Sequence, residues 1–222
     1  MFDTETGRTW LLRPGDLQAT ASIVKVDILA TLLAQQRPAG SLPSTATQAT
    51  AGEMIEESDN DAATDLWEAV GGYLAIESFD RKLGMGRTFP SACLQCPGFA
   101  WPGWGLTLTT AADQVTLVRD FVSPDRWFSP AQRAWALGLM EHVVPAERWG
   151  VSSGVPPNAV VALKNGWVPL ASGLWQIDSI GWVDGGRRDY VAAILSTGNP
   201  TEQYGIETVD AIGSDLYTGL GD

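Results

Sequence analysis

Histidine, lysine and cysteine are scarce in this 222-residue chain, and each scarcity excludes a class of chemistry. The single histidine, His142, argues against a Ser-His-Asp triad and against most histidine-based metal sites. Only three lysines occur, and a net charge of −12 argues against nucleic acid or an anionic membrane surface as a partner. No apolar run approaches the roughly 20 residues that span a bilayer, and we recognise no signal peptide ahead of the first predicted strand.

The two cysteines, Cys93 and Cys96, have C-x-x-C spacing. Two ligands cannot complete a structural zinc site, and we expect no metal there. The flanking prolines and glycine do not resemble the strand-to-helix context of a redox motif. The spacing therefore favours a short loop staple or two free thiols over redox chemistry.

The stretch around which the chain is organised is a predicted helix from about Ser22 to Gln36. Apolar residues recur with helical spacing, as at Val24 and Ile28, which predicts one apolar face. Ser22 and Lys25 are three positions apart and should lie together on a neighbouring strip. A lysine partly desolvated against a packed face loses proton affinity and can take the serine's proton, which would make Ser22 a nucleophile. Taken alone, this S-x-x-K spacing is common by chance.

The order of the predicted elements indicates an α+β fold. A β-hairpin over Phe2–Leu12 opens the chain, and helices and loops fill its middle. Strands at both ends can share one antiparallel sheet only if the chain returns. We therefore expect one unit over 1–222, with a helical lobe of about 41–144 inserted into an α/β lobe of about 1–40 and 145–222, and a cleft between them. The predicted return strands are Ala159–Lys164, Trp175–Val183 and Tyr190–Ser196. The predicted final helix, Thr201–Tyr217, should pack on the sheet that they form.

Three short motifs occur in an order that is far more specific than any one of them. They are S-x-x-K at Ser22–Lys25, S-D-N at Ser58–Asn60 and K-N-G at Lys164–Gly166. In this order and approximate spacing the chain resembles the class A β-lactamases and penicillin-binding proteins, with K-N-G in place of K-T-G. The resemblance extends over nearly the whole chain and implies a β-lactamase-like fold.

The resemblance also implies a role for each motif residue. Ser22 would attack a carbonyl group and Lys25 would accept its proton. Ser58 would relay a proton to the leaving nitrogen, and Asn60 would bind Lys25 and the amide carbonyl of the substrate. Lys164 would supply positive potential for a substrate carboxylate and orient Ser58. The ordinary alternatives are that Ser58 and Asn60 are helix caps and that Lys164 is a solvated strand residue.

The residues after Lys164 complete the implied substrate site. The backbone N–H groups of Ser22 and Trp167 would form an oxyanion hole. Asn165 stands where the family has threonine, so an amide would face the substrate carboxylate there. Gly166 would complete the motif, although a β-bulge is its ordinary explanation. Trp101 and Trp104 would join Trp167 in an aromatic wall, or would simply pack in the core.

One departure from the family concerns the loop beneath the cleft. Class A β-lactamases carry a glutamate there that activates the water for deacylation. Residues 88–112 of this chain contain no Asp, Glu or Asn. Fast β-lactam turnover is therefore not expected unless another carboxylate, such as Asp61 or Glu147, reaches the site.

These observations predict a serine hydrolase or acyltransferase that forms an acyl-enzyme at Ser22 without metal or cofactor. Its substrate would be a small molecule or peptide with a carbonyl group: a β-lactam, a peptidoglycan peptide or another amide or ester. The alternative is a penicillin-binding, DD-peptidase-like protein or a ligand-sensing domain that does not hydrolyse its ligand. The resemblance implies an extracellular or cell-envelope location. A short first strand would leave an exposed sheet edge, which could pair with a second copy.

Overall fold

The computed structural model describes residues 1–36, 38–124, 127–186 and 188–219, in which a block of helices lies between short strands near the start of the chain and three long strands near its end. The strands are β1 (Phe2–Asp3), β2 (Gln18–Ala19), β3 (Leu108–Thr109), β4 (Val160–Pro169), β5 (Trp175–Asp184) and β6 (Asp189–Asn199). The helices are α1 (Val24–Ala34), α2 (Thr45–Glu56), α3 (Asn60–Ala69), α4 (Gly72–Leu83), α5 (Ala111–Val122), α6 (Pro130–Glu141) and α7 (Glu202–Gly219).

The main sheet joins the two ends of the chain, as the element order predicts. Its strand order is β1-β6-β5-β4, and every pair is antiparallel. The terminal helix α7 packs on β5 and β6, which confirms the predicted position of the last helix. The β2 and β3 strands form a separate two-stranded sheet. Helices α2, α3 and α4 lie between the chain's first and last strands, so the expected α+β architecture is confirmed.

The helix α1 is more deeply buried than its sequence pattern predicts. A single apolar face implies that the opposite side meets solvent, yet every residue from Val24 to Leu33 is buried. A helix that is enclosed all round belongs to the core of the fold. The expectation of one apolar face is therefore wrong, and Lys25 enters the interior together with its apolar neighbours.

Burial on α1 extends to a carboxyl group. Asp27 on α1 and Asp80 on α4 are both inaccessible to solvent. Burial raises the pKa of Asp27 to about 8. Burial, and then the neighbouring charge of Asp27, raise the pKa of Asp80 to about 9. Both groups therefore hold a proton at neutral pH, because the low-dielectric interior disfavours their charged forms.

The predicted hairpin at the start of the chain forms only in part. β1 pairs with β6, and Phe2 makes a single bridge to Thr9. The predicted second strand ends early: Trp10 exchanges two backbone hydrogen bonds of 3.0 Å with Met1, whereas Leu11 and Leu12 are exposed and lie outside the strands. The side chain of Asp3 accepts the N–H groups of Glu5 and Thr6, which tightens the turn but does not extend the pairing.

The helices α5 and α6 each begin directly after a residue whose side chain caps the helix N-terminus. Ser129 precedes α6 and forms a complete capping box with Gln132, as its sequence predicts. Thr110 caps α5 by accepting the N–H of Asp113. His142 lies at the C-terminal end of α6, where its Nδ1 is 2.6 Å from the carbonyl of Gly138. Among the described residues, no helix is both long enough and apolar enough to cross a bilayer.

Candidate active site

The candidate nucleophile Ser22 lies in a 3-10 turn, Ala21–Ile23, that leads directly into α1. Ala21 has a φ of 43° and Ser58 has a φ of 55°, both in the left-handed region that residues with side chains seldom adopt. Such conformations cost about 1–3 kcal/mol each and persist where surrounding contacts hold them, often at functional sites. One strained residue, Ala21, therefore directly precedes the motif serine Ser22, and the other is the motif serine Ser58 itself.

Lys25 joins the first two motifs. Its Nζ lies 3.1 Å from Ser22 Oγ and 3.1 Å from Ser58 Oγ. It also donates to Asn60 Oδ1 at 2.9 Å and to the carbonyl of Ser58 at 2.5 Å. The structure therefore brings together the hydroxyl, the amine and the amide that the resemblance implies. Asp59, rather than Ser58 or Asn60, caps α3, so the interpretation of those two residues as helix caps is wrong.

The pKa of Lys25 is lowered to about 6. Burial is the largest cause, and the positive charge of Lys164 is the next. The carboxylates of Glu147 and Asp59 act in the opposite direction. A lysine with this pKa is mostly neutral at pH 7 and can accept a proton from Ser22.

Lys164 reaches the site from the sheet. It lies on β4 and is 0% exposed, so the alternative of a solvated strand residue is wrong. Its Nζ donates to Ser58 Oγ at 2.9 Å, to the Asn165 carbonyl at 3.0 Å and to Glu147 Oε2 at 3.3 Å. Burial lowers the pKa of Lys164, and the charge and hydrogen bond of Glu147 oppose that shift.

Gly166 lets the strand β4 approach the nucleophile. A Cβ atom at this position would lie 2.8 Å from the backbone nitrogen of Ser22 and 2.9 Å from that of Ile23. A side chain would therefore force the strand away from the turn. Gly166 pairs with Asp178 in an unbroken register, so the β-bulge interpretation is wrong.

The side chain of Asn165 does not face the cavity. Its Nδ2 donates to the carbonyl of Glu147 at 2.7 Å and to that of Trp149 at 3.0 Å. The residue is fully buried and is absent from the cavity wall. The expectation that its amide meets the substrate is therefore wrong, because both amide hydrogens hold the segment 147–149 in place.

A cavity of about 120 Å³ opens above the motif residues. Ser22 and Ser58 form part of its wall, and Asn60 and Trp167 lie beside them, as expected. Among the described residues in the wall, Glu147 carries the one ionisable side chain. The remaining wall residues are Ala21, Phe99, Trp101, Pro102, Trp104, Gly105 and Val168.

Aromatic rings cover the cavity on the side of the long loop. Trp104 is 3% exposed and donates from Nε1 to Thr64 Oγ1 at 3.1 Å. The Nζ of Lys25 lies 5.1 Å from the ring centroid of Trp104. Trp101 is 45% exposed and forms the outer part of the wall. Trp104 thus both packs and lines the site, whereas Trp101 leaves a large apolar surface open to a ligand.

Within the long loop that carries these rings, a disulfide joins Cys93 to Cys96 and closes the short turn between them. The structure therefore confirms the loop staple and excludes the pair of free thiols. Asp61 is exposed and does not reach the cavity, whereas Glu147 does. Within the described part of the chain, no cluster of three or more His, Cys, Asp or Glu residues is arranged to hold a metal ion.

Comparison with known proteins identifies the family. The model of the β-lactamase enzyme family matches residues 38–220. The chain belongs to the β-lactamase enzyme family. Ser58, Asn60 and Lys164 fall within the matched range, and Ser22 and Lys25 precede it. No curated protein sequence matches the chain.

Solved structures of this family share the fold. A β-lactamase from Chitinophaga pinensis superimposes with a TM-score of 0.82 at 19% sequence identity. The match covers 100% of this chain and 92% of the Chitinophaga chain. An ancestral class A β-lactamase gives 0.82 at 21% identity, with coverages of 98% and 92%. A mutant of PBP-A, as an acyl-enzyme complex with penicillin G, gives 0.80 at 19% identity, with coverages of 99% and 88%.

Proposed function

We propose that this member of the β-lactamase family is a serine hydrolase that cleaves an amide or ester through an acyl-enzyme at Ser22. The observation that carries the proposal is the position of Lys25, whose Nζ is 3.1 Å from both motif hydroxyls. A buried amine with a lowered pKa beside a serine hydroxyl is the arrangement that nucleophilic catalysis requires.

The first half of the reaction forms the ester. Ser22 Oγ attacks the carbonyl carbon of the substrate while its proton passes to Lys25 Nζ. The negative charge on the carbonyl oxygen is met by the backbone N–H groups of Ser22 and Trp167. The close packing at Gly166 supports this pairing, because it brings β4 next to the Ser22 amide. Each such donor is worth about 3–4 kcal/mol in measured systems.

The leaving group departs through Ser58. Its hydroxyl lies between Lys25 and Lys164, at 3.1 and 2.9 Å from the two nitrogens. A proton accepted by Lys25 can therefore pass through Ser58 Oγ to the leaving nitrogen or oxygen as the carbonyl bond breaks. Asn60 holds Lys25 from the other side and reaches the cavity wall, where its amide can also bind a substrate carbonyl.

The second half of the reaction requires water. Hydrolysis of the ester returns the Ser22 hydroxyl and releases the acyl group as an acid. The family's loop glutamate has no counterpart in residues 88–112, so we expect deacylation to be slow. The same observation favours the second candidate function, a penicillin-binding or ligand-sensing protein in which the acyl group stays attached. The resemblance supports a location in the cell envelope or outside the cell for either protein.

Time-resolved intact-mass measurement distinguishes the two functions. The protein is mixed with a reactive β-lactam or aryl ester, and samples are quenched over seconds to hours. We expect an adduct that forms and then decays with release of the acid. An adduct that persists for hours identifies the binder. If Ser22→Ala gives the same adduct as the native chain, the proposed nucleophile is wrong.

A further inference from the structure

The donors of Lys164 are already occupied. An ammonium group has three N–H donors, and those of Lys164 point to Ser58 Oγ, the Asn165 carbonyl and Glu147 Oε2. The side chain of Lys164 is 0% exposed and that of Glu147 is 15% exposed. A substrate carboxylate could bind Lys164 only by displacing Glu147 from this buried ion pair.

The described cavity wall contains no cation that could bind a substrate carboxylate in place of Lys164. Its one ionisable side chain is the anionic Glu147. Its neighbour Arg148 points elsewhere, because its guanidinium donates to the carbonyls of Glu141 and Val161 at 2.7 and 2.9 Å. The two amide hydrogens of Asn165 are also used by the segment 147–149. The ammonium of Lys164 and the amide of Asn165, at the two positions where the resemblance implies recognition of a carboxylate, are therefore bound to the protein itself.

We infer that Glu147 selects the charge of the substrate, rejecting carboxylates and admitting amides or esters that are neutral or cationic beside the scissile bond. The inference rests on the proposed function and names its substrate class. An anion placed beside Lys164 would meet the carboxylate of Glu147, and like charges in a low-dielectric cavity repel strongly. The aromatic rings at Trp101 and Trp167 accept neutral and cationic groups on their faces.

Two matched pairs of acylating compounds test this inference. The first pair is benzylpenicillin and its methyl ester, which differ in the carboxylate charge. The second pair is a phenyl ester of phenylacetic acid with or without a meta-carboxylate on the leaving group. The rate of Ser22 acylation is measured by intact mass at pH 7. We expect the native chain to react at least about tenfold faster with the uncharged member of each pair.

The variant Glu147→Gln keeps the size of the side chain and removes its charge. We expect the ratio of the carboxylate rate to the uncharged rate to rise about tenfold in this variant, whatever change it makes to both rates together. Glu68→Gln is the matched control, because Glu68 is exposed on α3 and lies outside the cavity. It should leave the ratio of the two rates unchanged. Damage to folding would lower both rates together and would not move their ratio.

The outcomes separate this inference from the function on which it rests. If the native chain prefers the carboxylate members, or if Glu147→Gln leaves the rate ratio within twofold, charge selection by Glu147 is wrong and the acyl-enzyme stands. If no compound of either charge acylates Ser22, the proposed function fails, and the substrate class fails with it.

Discussion

Replacing Lys25 by arginine removes the proposed base and puts a permanently charged donor in its place. With a pKa of about 6, Lys25 is about nine-tenths neutral at pH 7, whereas a lysine at its ordinary pKa would be neutral in about one molecule in 3000. Arginine stays protonated at any pH that the protein would experience and cannot accept the Ser22 proton. Because general bases contribute about 10²- to 10⁴-fold, we expect acylation to slow by at least a hundredfold.

The assay is the second-order rate of Ser22 acylation by an uncharged aryl ester, followed by intact mass from pH 4.5 to 8. In the native chain the rate should fall about tenfold per pH unit below pH 6, as Lys25 becomes protonated. The Lys25→Arg variant should show no such limb. Lys82→Arg is the matched control, since Lys82 is exposed on α4 and should not change the rate. A Lys25→Arg rate within tenfold of the native one would refute the role of Lys25 as base.

Three further predictions follow from the fold. Gly166→Ala should slow acylation at least tenfold in the same assay with the chain still folded by circular dichroism, because a Cβ would lie 2.8 Å from the Ser22 nitrogen; an unchanged rate contradicts it. Asp27→Asn should flatten the loss of stability with rising pH, measured by urea unfolding. With its pKa raised to about 8, Asp27 contributes stability that is fully present below about pH 4 and is lost progressively as the pH rises to about 8; an equal slope in both proteins contradicts it. Leu29→Ala should lower the unfolding free energy by about 2–5 kcal/mol, since Leu29 is fully buried; a loss below about 1 kcal/mol contradicts it.

The contacts among the motif residues could be predicted from the sequence because helix geometry determines the first of them, between Ser22 and Lys25. Residues three apart on a helix are neighbours, so Ser22 and Lys25 must meet whatever surrounds them. The order of the three motifs then indicated the fold that carries Ser58 and Lys164 to the same place. The capping box at Ser129 was equally local and equally predictable.

Other features depend on distant parts of the chain. The helix α1 is buried on all sides because other parts of the chain pack around it. The spacing of apolar residues within α1 does not predict that packing. Glu147 lies in a short 3-10 turn, Pro145–Glu147, with no motif around it, so only the tertiary structure shows it beside Lys164. The direction of Asn165 follows from the same segment, whose carbonyls take its amide hydrogens. One signal was available beforehand: asparagine in place of threonine marked a position where the family's recognition of a carboxylate changes.

The central claim is that Ser22 carries the acyl group, and peptide mapping after acylation tests it most directly. The protein is labelled with an uncharged aryl ester at pH 7, digested under acid conditions that preserve esters, and sequenced by tandem mass spectrometry. We expect the acyl mass on Ser22 alone, and no label in the Ser22→Ala variant. Label on another residue, or full labelling of Ser22→Ala, would contradict the account.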